Sequence, residues 1–419
     1  MVTKLFADER QDPVAVAIIG AGPYGLSIAA HFNARKIPYR IFGTPMAFWS
    51  KQMPPGMKLK SEGFASSLFE PEGKFTLEEY CREQGLPYAP IGLSVPLETF
   101  IAYGIEFQKR FVPTVERREV ISVARSGEGF VLELDNSEKL TARNIVVAVG
   151  IAHFSYVPPV LAHLIHDKVS HSSEYGPIDQ FPGKRVAIVG SGSSASDLAV
   201  LLKQAGAHVQ MFCRRSSVEF QSGPKAHRSL IDRLWHPHTP IGGGIKLNFY
   251  AYAPQLFRLF PEEWRLRKVK KLLGPLPTWW TKEQIVGKIP MHLGTNISSV
   301  EKAGEEAVVT WEADGVRNSQ PFDHVIAATG YQMDIKRLSF LSPEIVASLK
   351  MAGNGPELSS HFESSIPGLY FVGITASTTF GPLLRFACGA GFAAKTLSRK
   401  LARVLRNSKY ATKQPVGVA

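Results

Sequence analysis

Val14 to Ile19 is an unbroken run of small apolar residues, followed at once by Gly20-Ala21-Gly22-Pro23-Tyr24-Gly25. Six apolar residues without alternation predict a strand buried on both faces, as in a parallel sheet. From Leu26 to Asn33 the spacing changes to that of a helix. Strand, glycine turn and helix in this order form G-x-G-x-x-G in the setting that gives it meaning. Gly20 serves the turn, Gly22 lets a pyrophosphate reach the backbone, and Gly25 lets the helix pack closely. The helix N-terminus supplies free N–H groups and positive partial charge to that phosphate.

The pattern continues with a second strand at Tyr39 to Phe42 and an irregular stretch from Met53 to Glu70. A helix is predicted from Thr76 to Gln84, with Thr76 as cap and Glu78 and Glu79 in its first turn. Another is predicted over Val95 to Arg110. Three short strands are expected next, at Glu119 to Ala124, Phe130 to Leu134 and Ile145 to Val149, with turns at 126–129 and 135–137.

At Arg185 the pattern starts again. Val186 to Val189 leads into Gly190-Ser191-Gly192-Ser193-Ser194-Ala195, with alanine in place of the third glycine. A helix from Ser196 to Ala205 and a strand from Val209 to Phe212 follow. Later, Ile297 to Glu301, Val308 to Trp311 and Phe322 to Ala328 repeat the three strands and close on Gly330, as the first set closes on Gly150. Each unit spans about 130 to 140 residues from glycine turn to closing glycine. The fold class is therefore α/β: two tandem Rossmann-like dinucleotide-binding domains, each with a β-meander, plus a helical insert.

The two units want different nucleotides. The strand after the second glycine turn ends in Cys213-Arg214-Arg215-Ser216-Ser217. Two guanidinium groups stand where NAD proteins keep a carboxylate, which suits the 2′-phosphate of NADPH. The first unit has Gly43 at that place, so backbone or Thr44 is left to hold a ribose. A unit that keeps its dinucleotide, facing one that binds NADPH, implies FAD as hydride acceptor. Near the C-terminus, Gly368 to Ile374 predicts another buried strand. A Ser/Thr-rich loop then leads to a helix at Gly381 to Gly389 with Pro382 in its first turn. Its N-terminus is expected at the flavin edge. Residues 1–155 and 321–419 are expected to form the FAD-binding domain, and 156–320 the NADPH-binding domain.

The expected cofactor contacts in the first domain are Gly20, Gly22, Pro23, Tyr24, Gly25, Gly43, Trp49, Ser61, Val120 and Gly150. Those in the second are Gly190, Gly192, Ser193, Ser194, Arg214 and Arg215. Gly330, Gly373, Pro382 and Leu383 complete the set. No catalytic acid, base or nucleophile stands out.

The insert, residues 216–290, reads as a substrate cap. It holds four of the six tryptophans (Trp235, Trp264, Trp279 and Trp280) together with Phe249, Tyr250, Tyr252, Phe257 and Phe260. Arg265, Arg267, Lys268, Lys270 and Lys271 give it a basic helical face between Pro261 and Gly274. A solvated face on a packed cap is preferred over a membrane-surface helix.

Composition narrows the classes. Mean hydropathy is −0.03, no apolar run is long enough for a membrane span, and residues 1–12 lack the core of a signal peptide. A cytoplasmic protein is expected. The net charge of +12 is spread along the chain rather than packed in one run, so nucleic acid is not an expected partner. Cys81, Cys213 and Cys388 form no C-x-x-C. His227, His236 and His238 lack a convergent carboxylate or thiol, and no metal site is expected.

These features resemble the class B flavin-dependent monooxygenases, which include flavin-containing monooxygenases, Baeyer–Villiger enzymes and amine N-hydroxylases. The tandem glycine turns at Gly20 and Gly190 carry the resemblance. Ala328-Thr329-Gly330-Tyr331 is similar to the ATGY element of N-hydroxylases. His171-Ser172-Ser173-Glu174-Tyr175 resembles part of the flavin-containing monooxygenase fingerprint, with Ile165 and Asp167 where that fingerprint has Phe and Gly. The resemblance implies insertion of one oxygen atom from O2 into a small organic substrate through a C4a-(hydro)peroxyflavin. An NAD(P)H:acceptor flavoprotein reductase and a non-catalytic nucleotide-binding protein are the alternatives. Oligomeric state is not legible.

Overall fold

Small apolar side chains at Val16 to Ile19 leave no polar face, so this stretch is covered on both sides. The strand Ala17–Ile19 sits in the middle of a five-stranded parallel sheet. The order across the sheet is Leu369–Phe371, Ile145–Val147, Ala17–Ile19, Arg40–Phe42, Val115–Glu116. A second five-stranded parallel sheet has the order Val169–His171, His324–Ala327, Arg185–Val189, His208–Cys213, Met291–Leu293. The glycine-turn strand is central in both. The structure, a computed structural model, describes residues 13–411 apart from 128, 175–177, 224–237, 273–275 and 314. Tyr175, Trp235, His227 and His236 therefore lie outside the described residues.

The two sheets correspond strand for strand. Leu369–Phe371, brought back from the C-terminal end of the chain, holds in the first sheet the edge that Val169–His171 holds in the second. A repeat legible as two glycine turns is thus a repeat of whole sheets, and parallel strands place their C-terminal ends along one edge, where ligands bind.

The three-strand sets are corrected. The third meander strand is Lys139–Ala142 in the first unit and Val316–Phe322 in the second. Ile145–Val147 and His324–Ala327 leave the meanders and pair beside the glycine-turn strands. The reason is burial: these continuous apolar runs suit a two-sided core, whereas Lys139–Ala142 alternates exposed and buried. His324–Ala327, which a boundary at residue 320 assigns to the first unit, hydrogen-bonds within the second sheet.

The helix expected at Gly381 to Gly389 is also corrected. Gly381, at φ +90°, breaks the chain, and two short 3-10 turns follow at Pro382–Arg385 and Ala387–Gly389. Phe386 between them is extended (φ −113°, ψ 153°), and the long helix begins only at Ala390. The Ser/Thr-rich stretch before it is two tight helical turns, Gly373–Ala376 and Ser377–Phe380, wholly buried. A helix Ala47–Gln52 that the pattern did not announce follows the second strand.

The insert folds back on the first unit rather than standing free. Its helix Glu262–Lys271 packs on Ser377–Phe380. Arg265, expected on a solvated face, is buried there and donates to the carbonyls of Thr378 (2.6 Å) and Phe260 (3.1 Å). Gln255 donates to Ser360 O at 2.9 Å, and the ring of Phe257 lies under Gly381. Among the described residues no helix is long and apolar enough to cross a membrane.

Candidate functional site

Each glycine turn is built by close backbone approach. A Cβ on Gly20 (φ +110°) would lie 2.5 Å from the Ala148 carbonyl oxygen, and one on Gly25 would run into the Gly20 carbonyl. In the second turn Gly190 meets Ala328 as Gly20 meets Ala148, and Ala195, fully buried, replaces the third glycine. The middle glycines behave differently. Around a Cβ on Gly22 or Gly192 there is open space, with no protein atom within 4 Å. Both have ordinary extended backbone, φ −84° and −86°, so the protein itself does not demand glycine there. Space kept open at a helix N-terminus is what a pyrophosphate against backbone requires.

The helices Pro23–Ala34 and Ser193–Gln204 reinforce this. Each begins on a glycine without a side-chain cap, and neither has an acidic residue in its first turn. Side-chain caps occur at Thr76, which accepts from Glu79 N, and at Ser342, which accepts from Ile345 N, whereas several other helices, Leu97–Phe111 and Glu262–Lys271 among them, are uncapped. What sets these two helices apart is their place: free N–H groups stand at equivalent points of the two sheets, each behind an open glycine, and such a point suits an anion. In the second turn the buried hydroxyls of Ser193 and Ser196 also lack a protein partner, and such groups are costly unless a ligand satisfies them. Residues and geometry fit two dinucleotides.

The remaining expected contacts divide. Gly43, Gly150, Gly330 and Gly373 follow strands of the parallel sheets and share their C-terminal edges with the glycine turns. A Cβ on Gly43 would sit a tight 3.3 Å from Ala21 N, and its φ of +124° is strained for any side chain, so glycine suits the place of the usual ribose carboxylate. Arg214 and Arg215 are exposed at the end of His208–Cys213, free to meet a phosphate. Ser194 lies in the first turn of its helix. Trp49 packs edge-on against Phe100 at 4.9 Å, and Ser61 bonds Ser66 Oγ at 2.8 Å. Val120 begins a meander strand opposite Leu134, whereas the chain beside Gly43 is Val115–Glu116, whose Glu116 carbonyl takes the Gly43 N–H at 2.9 Å. Pro382 and Leu383 are buried in the 3-10 turn.

Tyr24 is a peg as much as a contact. Its hydroxyl donates to Phe386 O (2.9 Å) and lies 3.1 Å from Leu384 O, and its ring faces Gly373. Burial raises its pKa well above that of a free phenol. The first glycine turn is thereby fastened to the C-terminal segment.

The two chain crossings between the sheets pair with each other. Ser155 and Tyr331 form a β-bridge, Tyr156 N donates to Gly330 O (2.9 Å), and Gln332 N donates to Phe154 O (2.8 Å). His171 locks this hinge. Its Nδ1 accepts from Ser173 N (3.2 Å), which leaves Nε2–H to donate to Gly330 O (3.0 Å). Burial holds its pKa below the ordinary value, in keeping with a neutral ring.

Sequence reasoning missed a buried ion pair between the units. Lys60 Nζ lies 2.5 Å from Asp197 Oδ2, with their side chains 10% and 3% exposed, and sits 5.2 Å from the Trp280 ring centroid. Gln52, on the unannounced helix, keeps a buried Oε1 without a protein partner. The cysteines carry no redox pair: all three are free, and burial pushes Cys213 up to about 11 and Cys388 up to about 12. Thiols so disposed are poor nucleophiles. Among the described residues no group of His, Cys, Asp or Glu could hold a metal ion.

Comparison with known proteins agrees with this geometry. An indole-3-pyruvate monooxygenase, YUCCA1, of Oryza sativa subsp. japonica is 29% identical over 355 residues, covering 78% of this chain and 80% of the relative. The solved ornithine N-hydroxylase of Kutzneria sp. 744, with reduced FAD, NADP+ and L-ornithine, superposes with a TM-score of 0.74 at 14% identity. That match covers 94% of this chain and all of the other. A bacillithiol disulfide reductase of Staphylococcus aureus matches with a TM-score of 0.63 at 19% identity, over 96% of this chain and all of the reductase. The fold is the one these two solved structures share. Residues 17–232, more than half of the chain and including both glycine turns, match the pyridine nucleotide-disulphide oxidoreductases, and the protein belongs to that family.

Proposed function

We propose that the protein is an NADPH- and FAD-dependent monooxygenase that transfers one oxygen atom from O2 to a small organic molecule held beneath the insert. The observation that carries this is the pair of uncapped, glycine-started helices at equivalent edges of two equivalent sheets. Two such cradles in one chain suit a resident and a visiting dinucleotide. When bound, FAD accepts hydride from NADPH and its reduced ring activates O2.

The chain's own work is then binding, orientation and exclusion of water. Gly22 and the N–H groups of Pro23–Ala34 receive the FAD pyrophosphate, and Gly192 with Ser193 receives that of NADPH. His171 and the paired crossings at Ser155 and Tyr331 fix how the two sheets meet. Arg265, Gln255 and Phe257 hold the insert down over the first unit, which keeps the reaction space dry. No buried acid–base pair is needed for this division of labour. The relative from Oryza acts on indole-3-pyruvate by name, and an aromatic acid of that kind is our first candidate substrate.

The nucleotide preference is testable. Replacing Arg214 and Arg215 together by Ala should raise KM for NADPH by about 100-fold while KM for NADH moves less than about threefold, the difference expected for lost charge-assisted phosphate contacts. Equal changes for both would remove the 2′-phosphate assignment.

A second reading, an NAD(P)H:acceptor reductase, is favoured by the likeness to the bacillithiol disulfide reductase. Incorporation of 18O from labelled O2 into an organic product separates the two. The monooxygenase reading expects labelled product, and the reductase reading expects none.

A further inference from the structure

Among the described residues Arg385 has no counterion. Three other arginines of this chain are well provided for: Arg40 pairs with Glu116 and Glu138, Arg185 with Asp323, and Arg265 with two carbonyls. Arg385 is half-buried, no hydrogen bond to a described residue ties its guanidinium, and burial moves its pKa down to about 10. No carboxylate among the described residues forms an ion pair with it. A half-buried guanidinium left without an anion is a ready partner for one.

Its position is fixed with care. The carbonyls on either side of it, Leu384 O and Phe386 O, both lie within hydrogen-bond reach of the Tyr24 hydroxyl, two residues beyond Gly22. The turn that carries it packs against the insert helix Ile245–Tyr252. Arg385 is therefore pinned between the first glycine turn and the aromatic cap. Just before it, Thr378 and Thr379 keep buried hydroxyls without protein partners, so this stretch leaves several polar groups for something other than protein to satisfy.

We propose that Arg385 is the anion-recognition residue of the substrate site, and that the oxygenated molecule is an organic acid whose carboxylate meets this guanidinium while its apolar body lies against the insert. The planar fork of Arg suits a carboxylate in bidentate geometry, which fixes direction as well as affinity. This rests on the monooxygenase reading above and adds the residue that would recognise an acid substrate. The competing source of negative charge is the flavin cofactor, in its reduced ring or its pyrophosphate, and the test separates it from the substrate.

Calorimetric titration of the flavin-loaded protein with phenylacetate, indole-3-acetate and octanoate, each beside its neutral alcohol, gives the direct measurement. We expect an acid of the set to bind on the order of 100-fold more tightly than its alcohol. Arg385→Met should abolish that preference, and Arg385→Lys should retain part of it. Should Arg385→Met fail to fold, rising chloride should weaken the acid but not the alcohol in the native protein. Acids and alcohols binding alike, or chloride acting equally on both, would overturn the proposal. So would a preserved acid preference in Arg385→Met together with a shifted flavin potential, which would make the flavin the partner. Acid preference lost on Arg385→Met without any oxygenated product would support the anion site and count against the monooxygenase reading instead.

Discussion

Gly22→Val is expected to give a folded protein that carries no flavin. The space around a Cβ at Gly22 is free of protein atoms, and φ −84° is open to any residue, so the change costs the polypeptide little. The isopropyl group instead occupies the volume a pyrophosphate needs against the backbone. Far-UV circular dichroism should match the parent, while the flavin absorbance of the purified protein should fall to under about a tenth of stoichiometric. Gly20→Val is the contrasting case: its Cβ meets the Ala148 carbonyl at 2.5 Å and its φ of +110° is strained for any side chain, so the fold itself should suffer. A yellow, stoichiometric Gly22→Val protein would show that the first turn is not where FAD sits.

The second large effect is expected at the pair joining the units. Lys60→Met should lower stability by about 3–5 kcal/mol, because it leaves Asp197 charged, buried and unpaired; Asp197→Leu should cost a similar amount. Burial works against both charges here, pushing Lys60 down and Asp197 up despite their attraction. The pair as a whole therefore contributes little beyond what well-packed apolar groups would give. Lys60→Met combined with Asp197→Leu should recover most of the loss, to within about 1–2 kcal/mol of the parent, and denaturant unfolding of the four proteins forms the cycle. Additive losses would mean that the two side chains do not act as one unit.

The repeat was legible because burial writes itself into sequence as continuous apolar runs. Val16 to Ile19 and Val186 to Val189 could only be central strands, and the glycines after them fixed the turns. The same logic, applied without knowledge of pairing, put Ile145–Val147 in the meander, although its lack of alternation already marked it for the parallel sheet. Pro382 after Gly381 suits the start of a helix in the C-terminal segment. Gly381 and the extended Phe386 interrupt it, and the tie from Tyr24, 362 residues away from Phe386 in sequence, holds the interrupted form.

Long-range pairs leave no local signature. Lys60 and Asp197 stand 137 residues apart, and each alone reads as a surface charge. Nothing in the local sequence singles out Arg385, and only its half-buried place without an ion pair among the described residues gives it meaning. The glycines illustrate the converse. Gly20, Gly22 and Gly25 look alike in the motif, yet two are demanded by the polypeptide and one is left for a ligand.

Anaerobic mixing of the flavin-loaded protein with NADPH or NADH, followed by the flavin absorbance band, tests the central claim that the two cradles bring a resident flavin and a visiting nicotinamide together. The account predicts full bleaching by NADPH in a rapid, saturable phase, with NADH slower at equal concentration. A flavin that NADPH leaves oxidised over many minutes would contradict it.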